Sequence, residues 1–345
     1  MYDRTVRVYL ASLGLAIVAC LSPASSLAQR APSHVANVTL PDGRRVEVIG
    51  LRRWTPAMIE DSLARYAPDE SLGSTDIADA LRSGLHFADA TMSATSDRIV
   101  IAVREPGDSS LVRYRMLPLD TTAGRSDWND VSDLIVQRNP AFWAMLGTLG
   151  QSAAASDLQI VQAGADMGTT RALTKLRALR SEKDYADARS VLLSSANMFD
   201  RSVAVLIVGQ HPERDDAWRQ LMETSRESDG MVRSVASEVL TAWSLRAPRT
   251  IDWSASSAGI HALLNGTSLG ELPNVIAVLN RTGVGPSNAS AFLKNGGDML
   301  VTYLDSREHA REARALLVRL RGGDLGAGQG AWRAWIETLA GMPSP

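Results

Sequence analysis

Apolar and polar residues alternate from Val38 to Leu40 and again from Arg45 to Ile49, on either side of Pro41-Asp42-Gly43. Period-2 runs about a Pro-Asp-Gly turn predict a β-hairpin or the beginning of a strand. The period then changes. Thr55 is placed to cap a helix that Pro56 starts, Ile59, Leu63 and Tyr66 recur at helical spacing, and Pro68 stops the run. A second short helix is expected from Ser74 to Asp76 onward, with Ile77, Ala80 and Leu81 inward and Gly84 at its end. Three β-rich runs follow, Phe87 to Thr95, Ile99 to Glu105 and Leu111 to Leu117, separated by Ser96-Asp97 and by Pro106-Gly107-Asp108. The predicted order is strand, helix, helix, strand, strand, strand.

After a small-residue linker at Thr121 to Ser126 the helical period dominates from Trp128, and no strand is expected there. Short helices are expected at Asp130 to Gln137 and Ala141 to Leu149, divided by Asn139-Pro140, before an Ala/Ser/Gly stretch that reaches Gly168. Helices then recur at Thr170 to Ser181, Tyr185 to Ala196, Arg201 to Val208, Asp215 to Ser225 and Met231 to Leu245. Amphipathic helix pairs repeating at roughly thirty to forty-five residues, none able to bury its apolar face alone, predict an α-solenoid. A non-repetitive helical domain is the other arrangement that the pattern allows.

Two stretches resemble known families. Val46-Glu47-Val48-Ile49-Gly50, Gly84-Leu85-His86-Phe87-Ala88-Asp89-Ala90 and Ile101-Ala102-Val103-Arg104-Glu105, in the element order above, resemble a POTRA domain over Arg45 to Glu105. That resemblance implies a module that binds other polypeptides by adding a strand at its sheet edge, although the outer-membrane barrel strands that usually follow are missing. An unrelated α/β sandwich with the same element order fits the pattern as well. Asp215-Asp216-Ala217-Trp218-Arg219-Gln220-Leu221 running into Asp229-Gly230-Met231-Val232-Arg233-Ser234-Val235-Ala236 resembles a HEAT repeat. The resemblance implies that Asp229 caps the inner helix and that Arg233 bonds neighbouring turns. Arg311 to Leu317, and Ala258 to Leu264 with Leu272 to Leu279, are weaker instances.

The N-terminal segment predicts export from the cytoplasm. Arg4 and Arg7 precede an apolar run of about twelve residues, Val8 to Ala19, too short to span a bilayer, and Ser26-Leu27-Ala28 offers a signal-peptidase site after Ala28. Ile17-Val18-Ala19-Cys20 also resembles the lipobox of bacterial lipoproteins, which would anchor the chain to a membrane through Cys20. Cys20 is the only cysteine, so no intramolecular disulfide can form. A net charge of -2 and a pI near 6.2 over 345 residues provide no field for nucleic acid.

Candidate chemistry is sparse. Gly266-Thr267-Ser268-Leu269-Gly270 matches the G-x-S-x-G nucleophile elbow, with Asp305 and His309 following in hydrolase order, but no strand is expected before Ser268. His34, His86, His211, His261 and His309 are isolated in sequence, so neither metal nor cofactor is expected. Glycine-rich Gly322 to Gly330 lacks the lysine of a phosphate loop and reads as a turn before a terminal helix bearing Trp332 and Trp335. Trp218, Trp243 and Trp253 serve either inter-helix packing or an exposed ligand patch.

The expected fold class is an α+β N-terminal domain followed by an all-α HEAT-like helical repeat domain. Its boundaries are a signal peptide at 1–28, a flexible segment at 29–37, a small α/β domain at 38–120, a linker at 121–127 and a helical domain at 128–341. The expected function is a non-enzymatic, exported protein-binding or scaffolding protein of the bacterial envelope, periplasmic or secreted, with protein partners and no catalytic residues. Alternatives are a serine hydrolase using Ser268 and a helical ligand- or carbohydrate-binding protein.

Overall fold

Gly43 takes φ +87°, a left-handed conformation suited to glycine, and the Leu40 N–H donates to the Arg44 carbonyl at 2.9 Å. The turn joins β1 (Val35–Thr39) to β2 (Arg45–Ile49) as the antiparallel hairpin that the alternation predicts. β1 begins at Val35, within the stretch 29–37 expected to be flexible. This is a computed structural model, and it describes residues 34–116, 128–136, 167–246 and 248–340. The expected export signal with Cys20, the linker at 121–127 and the helix at Ala141 to Leu149 lie outside the described residues.

The first helix, α1 (Pro56–Tyr66), starts as its caps require, with Thr55 Oγ1 accepting from the Met58 N–H at 3.2 Å. Ile59 and Leu63 are buried while Tyr66 is exposed, so the inward stripe ends one turn early. The second, α2 (Ile77–Asp79), continues as a π-turn over Ala80–Gly84 and leads to β3 (Asp89–Ala94) and β4 (Arg98–Arg104). The sheet order is β1-β2-β4-β3, with β2 and β4 parallel and the other pairs antiparallel.

Both faces of this sheet are covered. On one, Val46, Val48, Ile101 and Val103 pack with Ile59, Leu63, Ile77 and Leu81 of the two helices. On the other, Val35, Ile49, Val100 and Ala102 join the core of the helical region. Burial on two sides explains why β4 is apolar without interruption from Ile99 to Val103 rather than alternating.

Over its described part, Leu111 to Met116, the strand expected at Leu111 to Leu117 does not form. Pro106 instead starts a 3-10 turn, Pro106–Leu111, and the following residues cross to the helices. There the Arg115 N–H donates to the Arg226 carbonyl at 2.7 Å, and Arg115 makes one isolated parallel bridge with Glu227. The alternation belongs to an extended strap whose partners, Arg226 and Glu227, lie in a turn between two helices.

The helical region contains α3 (Asn129–Val136), α4 (Met167–Ala178), α5 (Glu182–Ser194), α6 (Met198–Val208), α7 (Asp215–Thr224) and α8 (Gly230–Arg246). It continues with α9 (Ser257–Leu264), α10 (Leu272–Arg281), α11 (Ala289–Leu293), α12 (Asp298–Thr302), α13 (Ala310–Arg321) and α14 (Gln329–Leu339). Helices α6, α8, α10 and α13 pack successively in one row, and α7, α9, α11 and α14 in another. Asp229 Oδ1 accepts from the Met231 and Val232 N–H groups at 3.0 and 3.1 Å, and Arg233 Nη1 donates to the Glu227 and Ser228 carbonyls. This is the local arrangement expected at the start of α8.

Candidate functional site

Two features of this architecture could carry function: the free edge of the sheet, and the seam where the sheet meets the helices. β1 is an edge strand. The His34 carbonyl accepts from the Gly50 N–H at 2.7 Å and the Leu40 N–H donates across the hairpin, so alternate residues from His34 to Leu40 bond towards β2. The backbone groups of Asn37 and Thr39 therefore face outward, and both residues are exposed. At the other edge, Arg82 Nη1 donates to the Ala90 carbonyl of β3, and Gly270 lies against Thr91. Among the described residues β1 is the more open template.

The seam is built on charge. Arg104, at the end of β4, is 1% exposed and its Nη1 donates to Asp298 Oδ2 at 3.1 Å. Arg333 of α14 reaches the other oxygen at 2.5 Å, and Arg52 also donates to Asp298. Burial pushes the Asp298 carboxyl up, but Arg333, Arg104 and Arg52 together hold it well below the usual carboxylate range. Glu105 is similarly placed: burial raises it, and the N–H groups of Trp54, Arg52 and Arg53 with the Arg53 guanidinium bring it below its ordinary value. A cavity of 460 Å³ lies beside Asp298, lined also by Arg52, Asn265, Arg333 and Glu337. Its described lining sets the carboxylates of Asp298 and Glu337 beside the guanidinium groups of Arg52 and Arg333.

The segment that matches a nucleophile elbow belongs to the same seam. Gly266, at φ +96°, lies against Arg104, where a Cβ would stand 2.4 Å from Nε. Thr267 Oγ1 accepts from the Arg113 N–H at 2.9 Å. The Leu269 N–H points to Asp89 Oδ2 at 3.4 Å, the same oxygen that the Tyr114 hydroxyl donates to at 2.7 Å. Ser268 is buried at φ +61° between α9 and α10, and its hydroxyl has no hydrogen-bond partner. His309 is instead stacked on Tyr303 with ring centroids 5.2 Å apart, and burial pushes its pKa down against Glu308, Glu47 and Glu312. Asp305 lies in the 3-10 turn Tyr303–Asp305. The elbow's strand-turn-helix setting is absent, and neither His309 nor Asp305 bonds the Ser268 hydroxyl.

Removing an orphaned buried hydroxyl relieves a desolvation cost at the expense of a small void. Ser268→Ala is therefore expected to leave stability unchanged or raise it by up to about 1 kcal/mol in urea unfolding. A loss of more than about 2 kcal/mol would show that the hydroxyl is used.

The tryptophans pack inward. Trp218, Trp243 and Trp253 are 0%, 5% and 1% exposed, and the first two rings meet at 5.0 Å. Each indole N–H is spent on the chain: Trp218 on the Pro212 carbonyl, Trp243 on the Gly209 carbonyl and Trp253 on Thr282 Oγ1. Trp332 donates to the Gly326 carbonyl at 2.8 Å, fixing the glycine-rich turn against the last helix. These rings staple inter-helix loops and form no open patch. His211 lies in the loop after α6, as expected, and is buried there against the Tyr185 ring at 4.8 Å. No group of three or more His, Cys, Asp or Glu side chains suited to a metal occurs among the described residues.

Comparison with known proteins returns nothing: no protein family, curated protein or solved structure matches this chain.

Proposed function

We propose that this chain is an exported, non-enzymatic binding or scaffolding protein of the bacterial envelope, in which a POTRA-like module recruits a partner strand and a HEAT-like array forms a rigid support. The observation that carries this reading is the outward-facing backbone of Asn37 and Thr39 on β1, in a sheet whose both faces are already covered. An edge with free N–H and C=O groups pairs with an extended segment, and the surrounding rigidity lowers the entropy that binding must overcome. The two rows of stacked helices support the repeat reading, and the leader-like sequence before Ala28 supports export. No described helix is long and apolar enough to cross a membrane, so attachment would rest on Cys20.

Proline tolerates an edge position but removes its N–H donor. Asn37→Pro alters an outward group and leaves the β1–β2 ladder intact. Affinity capture from envelope extracts is expected to enrich a polypeptide with the parent chain and to lose it with Asn37→Pro, circular dichroism being unchanged. Capture that enriches no polypeptide would sink the binding role; equal capture by the variant would move it away from β1.

A further inference from the structure

The open edge of the sheet carries none of the devices that keep an edge strand from pairing. From Val35 to Leu40 there is no charged residue and no proline, and β1 stays in unbroken register with β2, so no bulge turns it away. The opposite edge differs, since Arg82 occupies the Ala90 carbonyl of β3 and Gly270 lies against Thr91. The side chains of β1 and of Leu40 after it divide by face. Ala36, Val38 and Leu40 are half-buried against the core that α1 covers, and Asn37 and Thr39 are exposed on the other side.

This pattern is its own complement. When β1 is set antiparallel beside a second β1 with a two-fold axis through Val38, Asn37 falls opposite Thr39 of the copy. These are the residues whose backbone groups point away from β2, so each such pair exchanges both of its N–H···O bonds. An axis normal to the sheet keeps the faces matched: Val38 meets Val38, and Ala36 meets Leu40, small against large, on the apolar side. Val35 then faces Pro41 of the copy, which has no N–H to give, and the ladder ends where the turn begins.

We infer that β1 is the contact of a homodimer, in which the edge strands of two copies of this chain pair antiparallel about Val38 and join their sheets into one. The inference rests on the reading of β1 as a recruiting edge and names the strand it recruits. An unrelated strand would have to bring the same alternation in the same register, whereas a second copy supplies it by symmetry. Contact confined to one strand is smaller than a standard interface, so dimer and monomer are in exchange rather than permanently associated.

Sedimentation velocity of the purified chain over a concentration series tests the pairing. The weight-average sedimentation coefficient is expected to climb from monomer to dimer and stop there, because closure about a two-fold axis leaves no free β1 for a third copy. Asn37→Pro removes an outward N–H in each copy and should weaken association by about tenfold or more, with circular dichroism unchanged. Cysteine substitution reads the register. Across the axis Val38 is a non-hydrogen-bonded pair with Cα atoms about 4.5 Å apart, so Val38→Cys should form an intermolecular disulfide under mild oxidation. Its yield should exceed that of the parent chain, whose one cysteine is Cys20, while Asn37→Cys, beyond disulfide reach of its own copy, should stay at the parent level. A chain that remains monomeric throughout the series overturns the dimer. If Asn37-dependent capture of another polypeptide persists in that case, the recruiting edge stands and only its partner changes; if capture fails too, both readings fall. Dimerisation that survives Asn37→Pro, or equal cross-linking by the two cysteine variants, would also overturn the pairing.

Discussion

Asp298→Asn is expected to destabilise the folded chain by about 3 kcal/mol, measured by chemical denaturation at neutral pH. The substitution preserves shape and removes the one carboxylate on which Arg52, Arg104 and Arg333 converge. Arg104 suffers most: at 1% exposure it would keep the Asn265 carbonyl as acceptor while facing two other guanidinium groups. Asp298 itself is 21% exposed, which places the expected loss at the lower end of the range for breaking a buried pair. The sign with pH follows from its depressed pKa. A carboxylate that ionises more readily in the folded chain contributes stability above the ordinary Asp value, near pH 4, and loses it as pH falls towards the lowered value. The parent should therefore lose more stability than the variant between about pH 5 and pH 2. A variant as stable as the parent at pH 7 would mean that the seam is held by its apolar contacts alone.

The second large effect is expected at the pair beneath the strap. Arg201 Nε donates to Glu227 Oε2 at 2.9 Å with both side chains 1% exposed, and Arg115 Nη2 stands 3.3 Å from the other oxygen. Glu227→Ala leaves Arg201 charged and enclosed, with the Ser195 carbonyl as acceptor, and should cost about 3–5 kcal/mol. Burial nevertheless pushes the Glu227 pKa up further than Arg115 and Arg201 pull it down. A raised pKa means that the folded chain holds this proton more tightly than the unfolded one. Stability from that proton is complete below the ordinary Glu value and is lost as pH rises through the raised one. Ionised Glu227 is thus a net burden near neutrality. Replacing both residues, Arg201→Met with Glu227→Leu, should then recover most of the single-variant loss. A double variant as unstable as Glu227→Ala would contradict this account, because it would show that the pair's charges are worth more than their desolvation.

What could be read from the sequence was what local physics decides. The turn at Gly43 and the capped start at Thr55 depend on neighbouring residues, and the structure has both. Asp229 and Arg233 likewise act within one turn of α8. The start of α5 was also encoded locally: Ser181 and Asp184 form a reciprocal capping box, a signal that reading the helix from Tyr185 passes over. The seam was not legible, because Arg104 and Asp298 are 194 positions apart and an arginine ending a strand ordinarily faces solvent. Gly266 to Gly270 show the opposite failure. Glycines in that spacing satisfy a catalytic pattern, yet here they allow a turn to approach Arg104 and Thr91. Leu111 to Met116 alternate as a strand does, but their partners, Glu227 and Thr267, belong to the helical region.

The seam also sets an order of events during synthesis. Asp89 waits for Leu269, Arg104 for Asp298 and Glu47 for Arg307, at separations of 180, 194 and 260 residues. Contacts of that span close slowly, and the first half of the chain is complete long before its partners leave the ribosome. Until they do, Ile49, Val100 and Ala102 present an uncovered apolar sheet face beside an open edge at β1. A chain in this state exposes that face and that edge together to self-association until the distant helices pack over the face.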